Sequence, residues 1–367
     1  MIGVYVHIPY CRTLCPYCDF VKKRAHGAVP GGFVDALCRE IAAFEGPSEV
    51  VSIFFGGGTP SLIAPEDLKR IMGALGARFR LRDPEITLEA NPDDITPDLV
   101  AAWRDAGINR VSIGVQSFDD RVLRYLGRRH DADAAARACE TVGASFNRWN
   151  LDLIFGAPPV EAWQATLQRA LALGAPHIAA YGLTYEAGTP FARRSSEAVD
   201  EEMWLRMYQE AEQALAGYDH YEISNFALPG QQSAHNLIYW HNEQYAGFGT
   251  GAYSYINGIR ARNLADVDAY VQDPGSHEEV LELSGEEIRI ETLIQHLRLR
   301  QGLPRARYTS RFGHDVLLDF GAVLASLEVR GLVQVENTHV APTAQGFYLN
   351  NEIGLALVQE PVAANIA

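Results

Sequence analysis

Residues 4–20 read VYVHIPYCRTLCPYCDF, a β-branched run that ends at Pro9 and is followed by cysteines at positions 11, 15 and 18. Three thiols spaced four and three residues apart can meet at one metal centre from a single loop. Structural zinc needs a fourth protein ligand, and His7 and His26 complete no familiar zinc-finger spacing. An iron–sulfur cluster normally takes four thiolates, so three local thiols favour a cluster with one open iron. A zinc-stabilised interaction module and unligated thiols remain as alternatives.

The composition of the 367 residues is that of a globular protein, with 47% apolar and 21% charged residues. The net charge of −15 disfavours nucleic-acid binding, which needs basic surface. No apolar run approaches the roughly 20 residues that cross a bilayer. An odd number of cysteines, three of them within eight residues, suggests metal ligation in a reducing compartment. We therefore expect a cytoplasmic protein that meets a membrane only through a partner.

Six short β-branched or apolar runs alternate with helical patterns, and they cover residues 3–8, 51–55, 85–90, 110–115, 150–155 and 177–182. Phe33, Leu37 and Ile41 repeat at helical spacing after the first run, and Leu68, Ile71 and Leu75 do so after the second. Alternating strands and helices predict a parallel sheet with right-handed crossovers. Six units are too few for a closed eight-stranded barrel. We predict an α/β fold, a partial (β/α)6 TIM-like barrel, with an open α/β sheet as the alternative.

Polar residues follow the predicted strands, where barrel folds carry their chemistry. The second strand enters the turn GGGT at residues 56–59, which lacks the ending of a P-loop and could be only a tight turn. Glu89 and Gln116 end the third and fourth strands, and Asp152 lies inside the apolar run LDLIF. A buried carboxylate is costly unless it is hydrogen-bonded. Each residue alone could be structural, but together at one rim they indicate a ligand site.

Three domains are predicted: the barrel at 1–195, a helical and loop-rich extension at 196–283, and a C-terminal winged-helix-like α+β domain at 284–367. Ser284 and Glu287 form a capping-box pattern at the start of the last domain. Five arginines and no acids lie between 298 and 311. We interpret them as a solvated or inter-domain face rather than a DNA-binding surface.

The motifs resemble a known family. The pattern Cys-x-x-x-Cys-x-x-Cys after YVHIP is similar to the signature of the radical S-adenosylmethionine (SAM) superfamily. FFGGGTPSL, LEANPDD, GINRVSIGVQSFDD, LDLIFGAP, HNLIYW and GFGTGAYSY resemble the oxygen-independent coproporphyrinogen III oxidase-like family, in its haem-chaperone (HemW-type) subgroup. The resemblance covers residues 3 to 350.

The resemblance implies roles for individual residues. Cys11, Cys15 and Cys18 would ligate a [4Fe–4S] cluster whose open iron is chelated by SAM. The SAM site would be formed by Tyr5, Tyr17, Gly57, Gly58, Thr59, Glu89, Gln116, Arg128, Asp152 and Gly182. A low-potential electron donor would reduce the cluster.

One position departs from the oxidase pattern. Oxidases of this family carry a further cysteine two residues after the third thiol, and here that residue is Phe20. The oxidases also have a longer N-terminal arm. Both differences favour a haem chaperone that passes haem to acceptor proteins such as respiratory cytochromes. A coproporphyrinogen III oxidase and a radical SAM methylase are the alternatives, so an enzymatic activity is left open.

The motif HNLIYW is the hallmark of the subgroup. Imidazole is a common haem ligand and aromatic rings can pack on a porphyrin. We therefore predict that His235 contacts haem iron or positions the haem, while Tyr239 and Trp240 cover it. The alternative is that His235 only orders its loop through hydrogen bonds.

Overall fold

The structure, a computed structural model, describes residues 1–359. The strands in chain order are β1 (Ile2–Ile8), β2 (Tyr10–Cys11), β3 (Lys23–Arg24), β4 (Glu49–Gly57), β5 (Arg80–Ala90), β6 (Arg110–Gln116), β7 (Trp149–Phe155), β8 (His177–Gly182), β9 (Asp219–Glu222), β10 (Asn225–Ala227), β11 (Tyr245–Phe248), β12 (Tyr253–Ile256), β13 (Ile259–Asn263), β14 (His277–Glu282), β15 (Leu303–Pro304), β16 (Val333–Val335) and β17 (His339–Pro342).

The α-helices are α1 (Gly31–Ala43), α2 (Pro65–Arg78), α3 (Pro97–Asp105), α4 (Asp120–Tyr125), α5 (Ala132–Gly143), α6 (Ala162–Ala172), α7 (Glu201–Ala214), α8 (Ala234–Trp240), α9 (Val267–Gln272), α10 (Gly285–His296), α11 (Arg305–Phe312), α12 (Val316–Val329), α13 (Ala344–Tyr348) and α14 (Asn350–Gln359). Short 3₁₀ helices cover Pro60–Leu62, Pro92–Asp94 and Pro190–Glu197.

A twelve-stranded sheet forms the centre of the molecule, in the order β14-β13-β12-β11-β1-β4-β5-β6-β7-β8-β10-β9. The six predicted strands are β1 and β4 to β8, and each pairs in parallel with the next. The strand order has two ends among the described residues, so the sheet is an open partial barrel. The prediction of an α/β partial barrel is confirmed.

The two faces of the barrel sheet differ in polarity. In β6, Val111, Ile113 and Val115 are fully buried in the hydrophobic core, and the outer helices supply the facing side chains. The predicted apolar stripes of α1 and α2 are part of that core. Side chains alternate along a strand, so the residues that alternate with Val111, Ile113 and Val115 face the barrel interior.

The extension differs from its prediction. Helix α7 lies within the expected amphipathic stretch, but residues 219–282 also contain six strands, β9 to β14. These strands have three to six residues, too few to give a clear alternating pattern in the sequence. They acquire pairing partners by adding to the barrel, since β10 pairs with β8 and β11 pairs with β1. The extension therefore shares one sheet and one core with the barrel.

The C-terminal domain follows the order helix, strand, helix, helix, strand, strand from α10 to β17, which is the winged-helix order. It has its own hydrophobic core, which includes Leu293, Tyr308, Phe320 and Leu324. The capping box between Ser284 and Glu287 is present. Residues 360–367 of the predicted domain lie outside the described residues.

Four of the five arginines at 298–311 contact the extension, and the fifth, Arg305, pairs with Asp315 inside the C-terminal domain. Arg298 lies over the Trp240 ring at 4.5 Å, Arg311 donates to the Asn242 carbonyl at 2.9 Å, and Arg307 pairs with Glu243. This agrees with an inter-domain face. Among the described residues, no helix combines the length and apolarity that a bilayer crossing needs.

Candidate functional site

One cavity of about 760 Å³ opens at the carboxyl ends of the parallel strands. Its lining includes the three clustered cysteines and all ten residues predicted to bind SAM. They come from six strands and the loops that follow them. Because parallel strands bring their carboxyl ends to one edge, residues more than 170 positions apart meet there.

The cysteine loop forms one wall of the cavity. Cys11 ends β2 and is buried, whereas Cys15 and Cys18 are partly exposed. The Thr59 hydroxyl donates to the Cys11 sulfur at 3.4 Å, and the Arg128 guanidinium donates to the Cys15 sulfur at 3.4 Å. The hydrogen bond from Thr59 opposes the effect of burial on the pKa of Cys11.

Burial raises the pKa of the Cys11 and Cys18 thiols above their ordinary value. Among the described residues, no three His, Cys, Asp or Glu side chains are gathered closely enough to hold a metal ion. The thiols thus share a wall without forming a ready ligand set, and metal binding would have to draw the loop together and deprotonate them. Three thiols with nearby donors on one short loop fit an iron–sulfur cluster by their chemistry.

The turn after β4 requires glycine because backbone atoms of a neighbouring segment lie very close to it. A Cβ on Gly58 would lie 2.7 Å from the Ile8 carbonyl oxygen and 2.9 Å from the Tyr10 nitrogen. Gly57 has a φ of +104°, which side-chain residues rarely adopt. Its N–H donates to the Glu89 carboxylate at 3.1 Å. The turn therefore brings bare backbone to the cavity.

Two carboxyl groups face the cavity interior. Burial, and then the nearby Asp152, raise the pKa of Glu89 to about 8. Burial also raises the pKa of Asp152 to about 6, although Asp152 accepts hydrogen bonds from Ser112 at 3.1 Å and Asn150 at 2.9 Å. A ligand that presents an ammonium group or hydroxyls would stabilise the ionised forms. This pair suits a ligand with both groups.

Arg128 and Gln116 line the cavity at the carboxyl end of β6. The guanidinium of Arg128 donates to the Gly114 carbonyl at 2.8 Å and to the Asn91 side chain, and its Nε has no partner among the described residues. Gln116 has a φ of +67°, which turns the chain where β6 ends. Both side chains can still donate to a ligand.

Aromatic rings close the sides of the cavity. The Tyr5 hydroxyl lies 3.1 Å from His7 Nδ1, and the Tyr17 ring lies 6.1 Å from that of Phe191. A Cβ on Gly182 would lie 2.5 Å from the Trp204 indole nitrogen, so glycine leaves room for that ring.

His235 lies in the core of the protein, and its predicted haem-ligand role stays a prediction. Its side chain is 1% exposed, Nδ1 lies 2.8 Å from the Ser52 hydroxyl and Nε2 lies 2.9 Å from the Tyr239 hydroxyl. The ring also stacks on Phe54 at 5.2 Å. Both ring nitrogens are therefore within hydrogen-bond distance of a hydroxyl group in the protein. The arrangement agrees with the alternative, in which His235 orders its surroundings.

Tyr239 and Trp240 also pack within the protein. The Tyr239 ring meets Tyr245 edge to face at 4.7 Å, and Arg298 covers Trp240. Neither lines the cavity. Helix α8 contacts β1 and β4 through Ile238 and His235, opposite Gly3 and Ser52. The HNLIYW motif thus closes the barrel at the amino ends of the strands, away from the cysteine loop.

The sequence prediction missed a polar lining deeper in the barrel, formed by Arg110, Ser112, Asn150, His177, Asn225, Ser233 and Asn236. A signal for part of it is present in β6, where polar or small residues alternate with Val111, Ile113 and Val115. That alternation indicates a second polar face. The sequence prediction considered only the ends of the strands and therefore missed this polar face.

Comparison with known proteins agrees with this geometry. Residues 5–170 match the radical SAM superfamily, and residues 283–349 match the HemN C-terminal domain. The Heme chaperone HemW of Lactococcus lactis subsp. lactis (strain IL1403) is 32% identical, over 96% of both chains. That of Bacillus subtilis (strain 168) is 33% identical, over 98% of this chain and 100% of the relative.

The fold has a close counterpart among solved structures. The structure titled "Coproporphyrinogen III oxidase (HemN) from Escherichia coli is a Radical SAM enzyme" has a TM-score of 0.84 and 24% identity, over 97% of this chain and 89% of that one. This likeness concerns the fold alone. The two relatives above show that the chain belongs to the radical SAM superfamily and, within it, to the haem-chaperone (HemW-type) subgroup of the coproporphyrinogen III oxidase-like family.

Proposed function

We propose that this protein binds a [4Fe–4S] cluster, SAM and haem, and transfers haem to acceptor proteins. The observation that carries the proposal is one cavity whose lining includes the three clustered cysteines and the ten residues that the family resemblance assigns to SAM. The names of the two relatives support haem as the cargo. Phe20, at the position of the oxidases' additional cysteine, supports a chaperone over an oxidase.

Cys11, Cys15 and Cys18 would hold the cluster, which when bound supplies a low-potential electron to SAM. The chain's own residues would do the positioning. Glu89 and the Gly57–Gly58 turn would bind the amino-acid end of SAM. Gln116 and Asp152 would accept hydrogen bonds from its hydroxyls, while Tyr5 and Tyr17 would exclude water from the site.

Haem would dock at the rim of the cavity rather than on His235. Phe20 is 61% exposed and Leu14 is 39% exposed, both on the cysteine loop, and Phe20 lines the cavity. Apolar surface at a cavity rim suits the face of a porphyrin. Arg12 and Arg129 lie on the same rim, half-exposed, where they pair with Asp94 and Asp93. Their exposed guanidinium groups would also pair with the propionates.

The cofactor part of the proposal is tested on anaerobically purified protein. About four iron and four sulfide per chain are expected, with the brown colour of a [4Fe–4S] cluster. Stoichiometric zinc without visible absorbance would overturn the cluster assignment.

The chaperone part is tested by two assays on that protein. Haem titration should give a saturating Soret change, and incubation with a haem-free respiratory cytochrome should move that haem to the acceptor. A parallel reaction with coproporphyrinogen, SAM and a strong reductant should give no protoporphyrinogen. Formation of that product would support the oxidase instead, and methylated product would support the methylase. A low-potential donor and a membrane-bound acceptor are the partners that this function requires.

The rim is tested by Phe20→Asp, which should weaken haem binding at least tenfold because a carboxylate would be buried against the porphyrin. Phe20→Leu is the matched control and should retain most of the affinity. Unchanged binding in Phe20→Asp would contradict docking at the rim.

A further inference from the structure

Asn91 carries a side-chain amide at the carboxyl end of β5, beside the cysteine loop. It is the first residue after the strand, within the motif LEANPDD, and it lines the cavity. Hydrogen bonds connect the amide to Thr59 and Arg128. Thr59 donates in turn to the sulfur of Cys11. A chain of hydrogen bonds therefore runs from Arg128 through Asn91 and Thr59 to one of the three clustered cysteines.

The chemistry of the groups fixes the direction of these hydrogen bonds. A guanidinium has no acceptor, so the Asn91 atom that meets Arg128 Nη2 is the carbonyl oxygen Oδ1. The amide nitrogen Nδ2 therefore faces the Thr59 hydroxyl oxygen at 3.1 Å, and it can only donate. Because the hydroxyl oxygen accepts that bond, its own hydrogen is free to point at the Cys11 sulfur, 3.4 Å away.

Cys11 and Thr59 lie on segments that backbone hydrogen bonds hold in place. Cys11 ends β2, and its carbonyl accepts from the Ala25 N–H at 2.9 Å. The turn that carries Thr59 is tied to β1, because the Gly58 N–H donates to the Ile8 carbonyl at 2.8 Å. The other two cysteines of the loop lie outside the strands. Gathering the three thiols around a cluster would therefore move those two more than Cys11.

The hydrogen bond between Thr59 and Cys11 is buried. Thr59 is 3% exposed and Cys11 is 8% exposed, and the low local dielectric strengthens a hydrogen bond between them. A cluster that accepts one electron gains negative charge, and a donor at a ligating sulfur stabilises that reduced form. Hydrogen bonds to the sulfurs are accordingly among the factors that set the reduction potential of a cluster.

We propose that Asn91 is a positioning residue for the cluster, because it orients the Thr59 hydroxyl towards the Cys11 sulfur and so raises the reduction potential. Without the amide, the hydroxyl loses the donor that fixes its rotation, and its hydrogen points at the sulfur for only part of the time. The cluster is then harder to reduce. This inference rests on the proposed cluster binding, and it adds the residue that controls how readily the low-potential donor delivers its electron.

The test is a redox titration of the anaerobically purified full chain without SAM, in which electron paramagnetic resonance measures the reduced cluster. Dithionite supplies the electron, and iron and sulfide are measured in every sample. Asn91→Ala should keep about four iron per chain. It should shift the reduction equilibrium about threefold to tenfold against the reduced form, a fall of about 30–60 mV for a one-electron couple.

Asn109→Ala is the matched control. Its amide accepts from the Ile86 N–H and donates to the Pro84 carbonyl, and it does not line the cavity. The potential of this variant should equal that of the unchanged protein, even if its stability falls.

Two substitutions of Thr59 test the same hydrogen bond directly. Thr59→Val removes the hydroxyl at nearly constant volume and should lower the potential at least as far as Asn91→Ala. Thr59→Ser keeps the hydroxyl and should keep the potential. Because Asn91 acts through that hydroxyl, Asn91→Ala should have no further effect in a chain that carries Thr59→Val. The comparison of Thr59→Val with Thr59→Ser decides the matter if Asn91→Ala does not retain its iron.

An unchanged potential in Asn91→Ala with full iron content would overturn the proposal. Equal potentials in Thr59→Val and Thr59→Ser would also overturn it, as would an effect of Asn91→Ala that is the same with and without Thr59→Val. Absence of a cluster in the unchanged protein would overturn this proposal together with the cofactor assignment. A cluster without haem binding would instead overturn haem transfer alone.

Discussion

Replacement of His235 by alanine separates an ordering role from a haem-ligand role. The change removes the partner of the buried Ser52 hydroxyl and that of the Tyr239 hydroxyl. An unsatisfied buried hydroxyl costs about 1–3 kcal/mol, and the space left under Phe54 adds a packing loss of similar size. Together they predict a loss of about 2–6 kcal/mol in the free energy of unfolding.

The assay combines urea denaturation with haem titration of the same protein. His235→Ala should unfold at lower urea concentration, while its folded fraction keeps the Soret position and haem affinity of the unchanged protein. Ser52→Ala is the matched control, because it removes one of the two hydrogen bonds and leaves the imidazole in place; it should cost about 1 kcal/mol. A double-mutant cycle between Ser52 and His235 should give a coupling of about 1 kcal/mol. Unchanged stability together with a lost Soret band would refute the reasoning and restore His235 as a ligand.

Three further predictions concern other parts of the molecule. Gly58→Ala should weaken SAM binding at least tenfold in equilibrium dialysis, because its Cβ would meet backbone atoms, whereas Gly76→Ala in α2 has nothing within 4 Å and should leave binding unchanged. Cys18→Ala should lower the iron content well below about four per chain, while Cys38→Ala, which does not line the cavity, should keep it; equal iron in both would contradict the cluster assignment. Burial raises the pKa of Glu40 from 4.5 to about 7 in the folded protein. The contribution of this carboxyl group to stability is therefore largest below pH 4.5. It is lost as the pH rises towards 7, by up to about 3 kcal/mol. Glu40→Gln should remove that pH dependence, as measured by denaturation curves at pH 5 and pH 8. If stability changes by the same amount between these pH values in both proteins, the prediction is contradicted.

Much of the fold could be predicted from local pattern. The six barrel strands could be recognised because they are long enough and are apolar on their core face. Polar residues follow the ends of these strands, and this pattern predicted the part of the cavity near the cysteine loop. The added strands β9 to β14 were missed, because strands of three to six residues gain most of their stability from the sheet edges on which they pair.

The candidate site was likewise predictable from the sequence only in part. Cys11, Cys15 and Cys18 are neighbours in the sequence, so their shared role could be inferred from spacing alone. His235 could not be interpreted in this way, since a histidine beside aromatic residues has the same local pattern whether it faces a ligand or a core. Its environment depends on Ser52, 183 positions away.

The partial barrel, the three-cysteine loop and the family could be inferred from the sequence, because they depend on short-range spacing and periodic burial. The packing of the HNLIYW motif at the amino end of the barrel, and the hydrogen-bond partners of His235, become visible only in the folded chain. Those properties depend on which groups from distant strands meet. Hydrogen-bond satisfaction is a property of the assembled interior and has no signature within any one segment.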